Sequence, residues 1–392
     1  MDRPPHRPDG DLARRSSEDG GGDGVTATAT PTAAAPSATA APAPRRRPGR
    51  AYAVAASSLV GLVVLSVWWG TGSVMLTPAA AWRALVDPDD AERIEVIATN
   101  ARLARVVMAI GVGAALGASG ALLQALYQNA LASPSITGVT QGAVAAAVVW
   151  LTFGGASSLD EATWIVPLVA TAGGFGAGLL TYIAARLGGR TDPLRLILMG
   201  VLVGGVLASI TAVTILASGD LGQELIRWTT GSLTGTTWTK VRLLYTGLAL
   251  LTPLVIISLP LANVLALGDN LAQGLGQRVE WARGVVLFTS AGLVAAAVSF
   301  VGGIAFVGLV APHLTRRATG ADLRRHLPAA ALVGAGMVAA ADFVARNVVP
   351  IDVLRWLGVE NPQVLASAVP AGIFLALLGA PYFVIILRRT RT

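Results

Sequence analysis

Cysteine is absent from this 392-residue chain, so it holds no disulfide framework, thiolate metal site or cysteine nucleophile. Charge is also scarce. Asp, Glu, Lys and Arg make up 13% of residues, against about 25% in soluble globular domains. A water-facing domain so poor in charge could not cover its own surface, and 54% of the residues are hydrophobic. The solvent this composition implies is lipid. Lysine occurs once, as Lys240 in Trp238-Thr239-Lys240-Val241. A P-loop needs G-x-x-x-x-G-K-[ST], with its lysine on the nucleotide phosphates, so a motor driving this protein has to be another polypeptide.

What is present fits a multi-pass membrane protein. Gly (45) and Pro (21) fall largely within apolar stretches, where membrane helices tolerate them and glycine permits close approach. The formal charge of +7 comes from arginines clustered between apolar segments. That is the positive-inside pattern rather than a nucleic-acid surface, and no nucleic-acid partner is expected. Residues 1–50 are low in complexity and are read as a disordered cytoplasmic tail before a transmembrane domain over 51–392. The tail ends in Arg45-Arg46-Arg47-Pro48-Gly49-Arg50, read as the flank of a retained anchor and not of a cleaved signal.

Apolar segments long enough to span about 30 Å lie near 51–70, 104–126, 136–153, 164–186, 194–216, 241–262, 282–301, 304–316, 327–348 and 369–387. The one at 304–316 is short. Ten spans place both termini in the cytoplasm, and the predicted inner loops then hold Arg186, Arg190, Arg195, Arg278, Arg283, Arg316, Arg317, Arg324 and Arg325. Small-xxx-small spacings at Gly113/Gly117, Gly174/Gly178 and Gly200/Gly204 suit tight helix packing. Few ionisable residues fall inside the spans, which argues against a proton- or sodium-coupled carrier. Asp342 and Arg346, one helical turn apart, are the main exception and form a natural i,i+4 pair.

One enzymatic reading comes from another class. Gly117-Ala118-Ser119-Gly120 resembles the nucleophile motif of rhomboid intramembrane serine proteases. Ser119 would need a histidine base within hydrogen-bond reach. His6 lies in the tail, His326 follows Arg324-Arg325, and His313 sits between Ala311-Pro312 and Arg316-Arg317. The same four residues are also ordinary helix-packing sequence.

Residues 99–143, TNARLARVVMAIGVGAALGASGALLQALYQNALASPSITGVTQGA, resemble the hallmark segment of FecCD-type permeases. These are the membrane subunits of ferric-siderophore, haem and vitamin B12 importers. The likeness continues at Leu196–Gly204, Trp228–Trp238, Leu265–Glu280 (LALGDNLAQGLGQRVE) and Gly303–Gly320 (GIAFVGLVAPHLTRRATG), and covers about 50–392. Ala104 and Ala130 stand where the family usually has proline, and the stretch 350–366 is longer than the family's outer loop.

The resemblance implies an all-α, BtuC-like fold of about ten transmembrane helices, with helices two to five and seven to ten as an inverted repeat. It implies a dimer with an identical or different permease, two ATP-binding cassette subunits below and a substrate-binding lipoprotein above, in the cytoplasmic membrane. ATP and Mg would sit on the partner ATPase, leaving this chain with no cofactor, metal or catalytic residue. By position, Arg102, Arg105 and Arg346 correspond to outer-face arginines that meet glutamates of the binding protein. Leu267, Gly268, Asp269, Ala272, Leu275 and Gly276 correspond to a pair of short coupling helices that seat on the ATPase. Thr191 and Asp192 fall where the family has its cytoplasmic gate. The favoured cargo is a ferric siderophore, with vitamin B12 and haem as alternatives.

Overall fold

The computed structural model describes residues 48–68, 77–87, 92–154, 164–187, 193–347, 356, 358 and 369–389. Among these there is no strand. The helices are α1 (Pro48–Trp68), α2 (Pro78–Val86), α3 (Arg93–Leu126), α4 (Val139–Phe153), α5 (Ile165–Arg186), α6 (Pro193–Ala217) and α7 (Gly222–Thr229). They continue with α8 (Trp238–Leu265), α9 (Asp269–Gly274), α10 (Val279–Val301), α11 (Val307–Thr319), α12 (Leu323–Asn347) and α13 (Ala371–Arg389). A 3-10 turn, Pro134–Thr137, leads into α4. The N-terminal tail lies outside the described residues up to 47, and Pro48–Arg50 already belong to α1.

Each of the ten expected spans has a helix in its place. Six of them, α3, α5, α6, α8, α10 and α12, are long and apolar enough to cross a bilayer, and α1, α4 and α13 contain shorter apolar stretches. The span expected at 104–126 differs most, because α3 begins at Arg93. Its first turns, RIEVIATNARL, are too polar to register as a span, yet they contain no proline or glycine to stop a helix. Pro78 at N1 and Thr77, which accepts from the Ala80 N–H at 3.2 Å, start the unexpected α2 in the way such residues commonly do.

Hydropathy does not separate centre from rim. The apolar windows of α3 and α8 have mean hydropathies of 2.1 and 2.2, yet 83% of the first is buried in the bundle and 17% of the second. Side-chain size separates them. The middle of α3 runs Gly111-Val112-Gly113-Ala114-Ala115-Leu116-Gly117, which lets other backbones approach. The rim helices α6 and α8 turn Leu198, Val206, Leu250 and Ile256 outward, where only lipid is a good solvent. On α6, hydroxyls are satisfied within the helix: Thr211 donates to Leu207 O at 2.9 Å and Thr214 to Ile210 O at 2.8 Å.

The glycine spacings mark the crossings. A β-carbon on Gly113 would overlap the carbonyl oxygen of Gly334 in α12, and one on Gly334 would overlap that of Gly113. Gly174 and Gly178 face Ala295 and Ala291 of α10 at 3.0 and 3.6 Å from where a β-carbon would sit. A β-carbon on Gly200 would strike Ile136 O, beside the 3-10 turn.

The expected inverted repeat leaves a local trace. The short helices α4 and α11 each follow an irregular stretch and start from a left-handed residue, Gly138 (φ 77°) and Phe306 (φ 67°). Gly138 lies against Gly200 and Gly204 of α6, and the Phe306 ring covers Gly379 of α13. Left-handed backbone is strained for phenylalanine, so tertiary packing holds it there.

Candidate functional site

In the N-terminal half of α3, Arg105 meets the buried carboxylate of Asp342 on α12. Its Nε donates to both oxygens, at 2.9 and 3.1 Å, and its Nη2 lies 2.8 Å from Oδ1. Arg346, one turn along α12, places its Nε 3.1 Å from the other oxygen. Arg102, one turn earlier on α3, is buried, with Nη1 donating to Val67 O at 3.3 Å. The structure therefore brings two of the three sequence-predicted docking arginines, Arg105 and Arg346, onto one acid, with Arg102 one turn before Arg105 on α3. They are more covered than a free docking surface would have them: Arg105 and Arg346 keep 17% and 14% of their side chains exposed. The i,i+4 spacing had pointed to Arg346 and Asp342, while nothing local pointed to Arg105 as a second partner.

The other end of α3 reaches a different node. Counting about 1.5 Å per residue, Tyr127 at its C-cap lies about 33 Å along the helix from Arg105, close to the ~30 Å of a hydrocarbon core. There α9 stands between two glycines with positive φ, Gly268 (102°) and Gly276 (80°). Leu267, Leu271 and Leu275, spaced four apart, are more than half exposed, and Ala272 is buried. A single short helix separates α8 from α10, where the resemblance implied a pair. After it, α10 starts at Val279 with Glu280 in its first turn.

Asp269, the first residue of α9, accepts from Arg283 Nη2 through both oxygens, at 2.8 and 2.9 Å. Arg283 had been expected in a solvated inner loop. Instead it lies in the second turn of α10 with its side chain 1% exposed, drawn in by Asp269 and by Glu280 at 3.6 Å. It is the functional candidate that sequence reasoning missed, because its fourteen-residue separation from Asp269 carries no helical signature. Close by, Asn263 bridges α8 to the α11–α12 turn, donating to Asp322 Oδ1 at 2.9 Å and accepting from Leu323 N at 2.8 Å. The Arg324 backbone N–H and the Asn263 amide, helped by the charges of Arg324 and Arg325, hold the Asp322 carboxyl below its ordinary range.

A cavity of about 250 Å³ opens among the 3-10 turn, α4, α6, α7 and residues 303–305. Its polar groups are uncharged: the hydroxyls of Ser135, Thr140, Thr211 and Thr229 and the amide of Gln141. Thr191 and Asp192, the expected gate, lie outside the described residues, as does most of 350–366. No cluster of His, Cys, Asp or Glu fit to hold a metal occurs among the described residues.

The profile of the FecCD transport family matches residues 58–389. The chain belongs to the FecCD transport family. It is 36% identical to YfmE of Bacillus subtilis, an Fe(3+)-citrate import system permease protein, over 88% of this chain and 96% of that one. To CbrC of Dickeya dadantii, an achromobactin transport system permease protein, it is 37% identical over 86% and 91% of the two chains. The cobalamin import permease BtuC of Halobacterium salinarum is 34% identical, over 76% and 74%. Among solved structures, a metal-chelate type ABC transporter in an inward-facing conformation matches with a TM-score of 0.70 at 26% identity, covering 87% of this chain and 99% of that one.

This FecCD protein is thus a multi-pass, membrane-spanning permease subunit of an ABC importer. Within it, the string around Ser119 has a packing role. The Ser119 hydroxyl lies 2.7 Å from that of Ser290 on α10, and a β-carbon on Gly120 would overlap Gly308 O of α11. His326 turns its Nδ1 to Thr319 Oγ1 at 3.1 Å instead of to a serine nucleophile.

Proposed function

We propose that this FecCD permease imports ferric siderophores or related iron chelates, with ATP hydrolysed on separate subunits that seat on α9. The observation that carries the seating is the exposed Leu271 of α9, flanked by exposed Leu267 and Leu275 on either side of the helix, on a segment otherwise pinned to the bundle. Such an apolar row beside water is an interaction surface, and a groove on an ATPase would bury it. In this reading the α9 end is cytoplasmic, together with both termini.

The arginine cluster at the opposite end would face a substrate-binding lipoprotein. Arg suits that task because its planar fork grips carboxylates. Asp342 would hold Arg105 and Arg346 in place until the partner's acids arrive. A second permease, identical or different, would complete the pathway, and the uncharged cavity fits a route that does not retain a large polar cargo. The iron chelates rest on the names of the relatives, Fe(3+)-citrate and achromobactin among them; a cobalamin permease among the relatives keeps vitamin B12 as the second reading, and haem as a third.

The test is uptake by proteoliposomes containing this chain, its ATPase and its binding protein. ATP-dependent entry of radiolabelled ferric siderophore, competed by iron-loaded but not iron-free ligand, is the expected result. Entry of cobalamin alone would overturn the cargo while leaving the machine intact.

A further inference from the structure

A helix of six residues does not hold itself together, because short isolated helices are marginal in water. In α9 the problem is sharper, since Gly268 and Gly276 at its ends, both with positive φ, leave each junction free to swivel. Its leucines point away from the bundle, and its buried Ala272 offers only a methyl group. Two tethers remain. At the C-terminal side Gln277 returns to the bundle, its backbone N–H donating to Ala272 O at 3.0 Å and its amide to Leu261 O at 3.1 Å. At the N-terminal side stands the pair of Asp269 with Arg283, the only charge-assisted contact described for α9.

That pair is built to be stiff. One guanidinium nitrogen serves both carboxylate oxygens, such contacts are among the stronger hydrogen bonds, and burial of Arg283 shields it from salt. Arg283 belongs to α10, which packs on α3, α5 and α8 at the centre of the molecule. Tyr127, the C-cap of α3, is buried. The next residue, Gln128, donates to Leu265 O at 3.1 Å and so ties α3 to the last turn of α8. The ends of α9 and α10 thus meet at Arg283, while Gln128 joins the ends of α3 and α8.

We propose that Arg283 is the positioning residue through which a displacement of α9 is passed to α10 and α3, and through α3 to the Asp342 cluster at the far end. This rests on the reading of α9 as the ATPase seat. Without the pair, α9 would move on its glycine hinges while the spanning helices stayed behind, and ATP would be spent without transport.

The experiment uses the full complex in proteoliposomes and reads solute imported per ATP hydrolysed. Arg283→Gln and Asp269→Asn are each expected to lower that ratio about tenfold, within the range a coupling residue carries. Asp269→Glu, which keeps the carboxylate, should recover most of it. A purely structural pair would reduce the yield of folded complex but leave the ratio at its wild-type value, and that result overturns the proposal. Equal loss in the Glu and Asn variants also overturns it, since the effect would then lie in the shape of α9. If Arg283→Gln fails to fold, Asp269→Asn, altered on a 38% exposed side chain, decides alone. Failure of the docking reading shows separately, as a Leu271→Asp complex that keeps its ATPase subunits whatever the ratio.

Discussion

Gly113 of α3 and Gly334 of α12 meet backbone to backbone, each occupying the space a β-carbon on the other side would need. In lipid there is no hydrophobic drive to join helices, so close packing of this kind supplies much of the attraction. Overpacking such a contact costs about 1–3 kcal/mol. Gly113→Val should lower the thermal unfolding temperature of the detergent-solubilised protein by several degrees, whereas Gly336→Val, at a position with open space around it, should leave it nearly unchanged.

Removing Asp342 strands two arginines. Breaking a buried pair by deleting one partner costs about 3–5 kcal/mol, so Asp342→Ala should sharply reduce the yield and stability of folded protein. Arg105→Ala leaves Arg346 beside the acid and should cost less. The two substitutions combined should be less than additive, as expected of contacting residues, in a double-mutant cycle on unfolding free energy.

On α9, Leu271→Asp should abolish co-purification of the ATPase. The side chain is exposed, and surface changes usually stay within about 0.5 kcal/mol, so the permease alone should melt at its usual temperature. Loss of ATPase with loss of fold would contradict the assignment of that face to docking.

Asp322 gives a pH dependence with a definite sign. Its carboxyl titrates below its ordinary value of 3.8 because the Arg324 N–H and the Asn263 amide favour the charged form. A depressed carboxylate contributes stability above its unfolded pKa and loses it as pH falls through the folded value. The wild type should therefore lose more stability than Asp322→Asn between neutral pH and about pH 3, followed by thermal melting in detergent.

Much of the fold was legible because lipid imposes it: uncharged runs of helical length became helices in all ten places. What hydropathy could not rank was position, since α3 and α8 score alike and only the small residues of α3 mark it as central. In the sites, Asp342 and Arg346 carry a helical spacing, so their pairing could be read, whereas Leu267 and Leu275 came from the family resemblance and Leu271 was not singled out. Arg105 meets Asp342 across 237 positions, and Arg283 looked like one more loop arginine. Such pairings exist only after the helices have packed. Ala104, in place of the family's proline, lies buried inside a continuous α3, which accounts for a helix that started earlier than the apolar span.

The glycine crossing also has a consequence in time. Its halves lie about 220 residues apart, and ribosomes add roughly 5–20 residues per second. For tens of seconds during synthesis, α3 must stand in the bilayer with its small-residue groove open to acyl chains that fill it poorly. The nascent permease therefore depends on an insertase, or on early neighbours such as α1 and α2, to shelter a helix whose main partner has not yet been made.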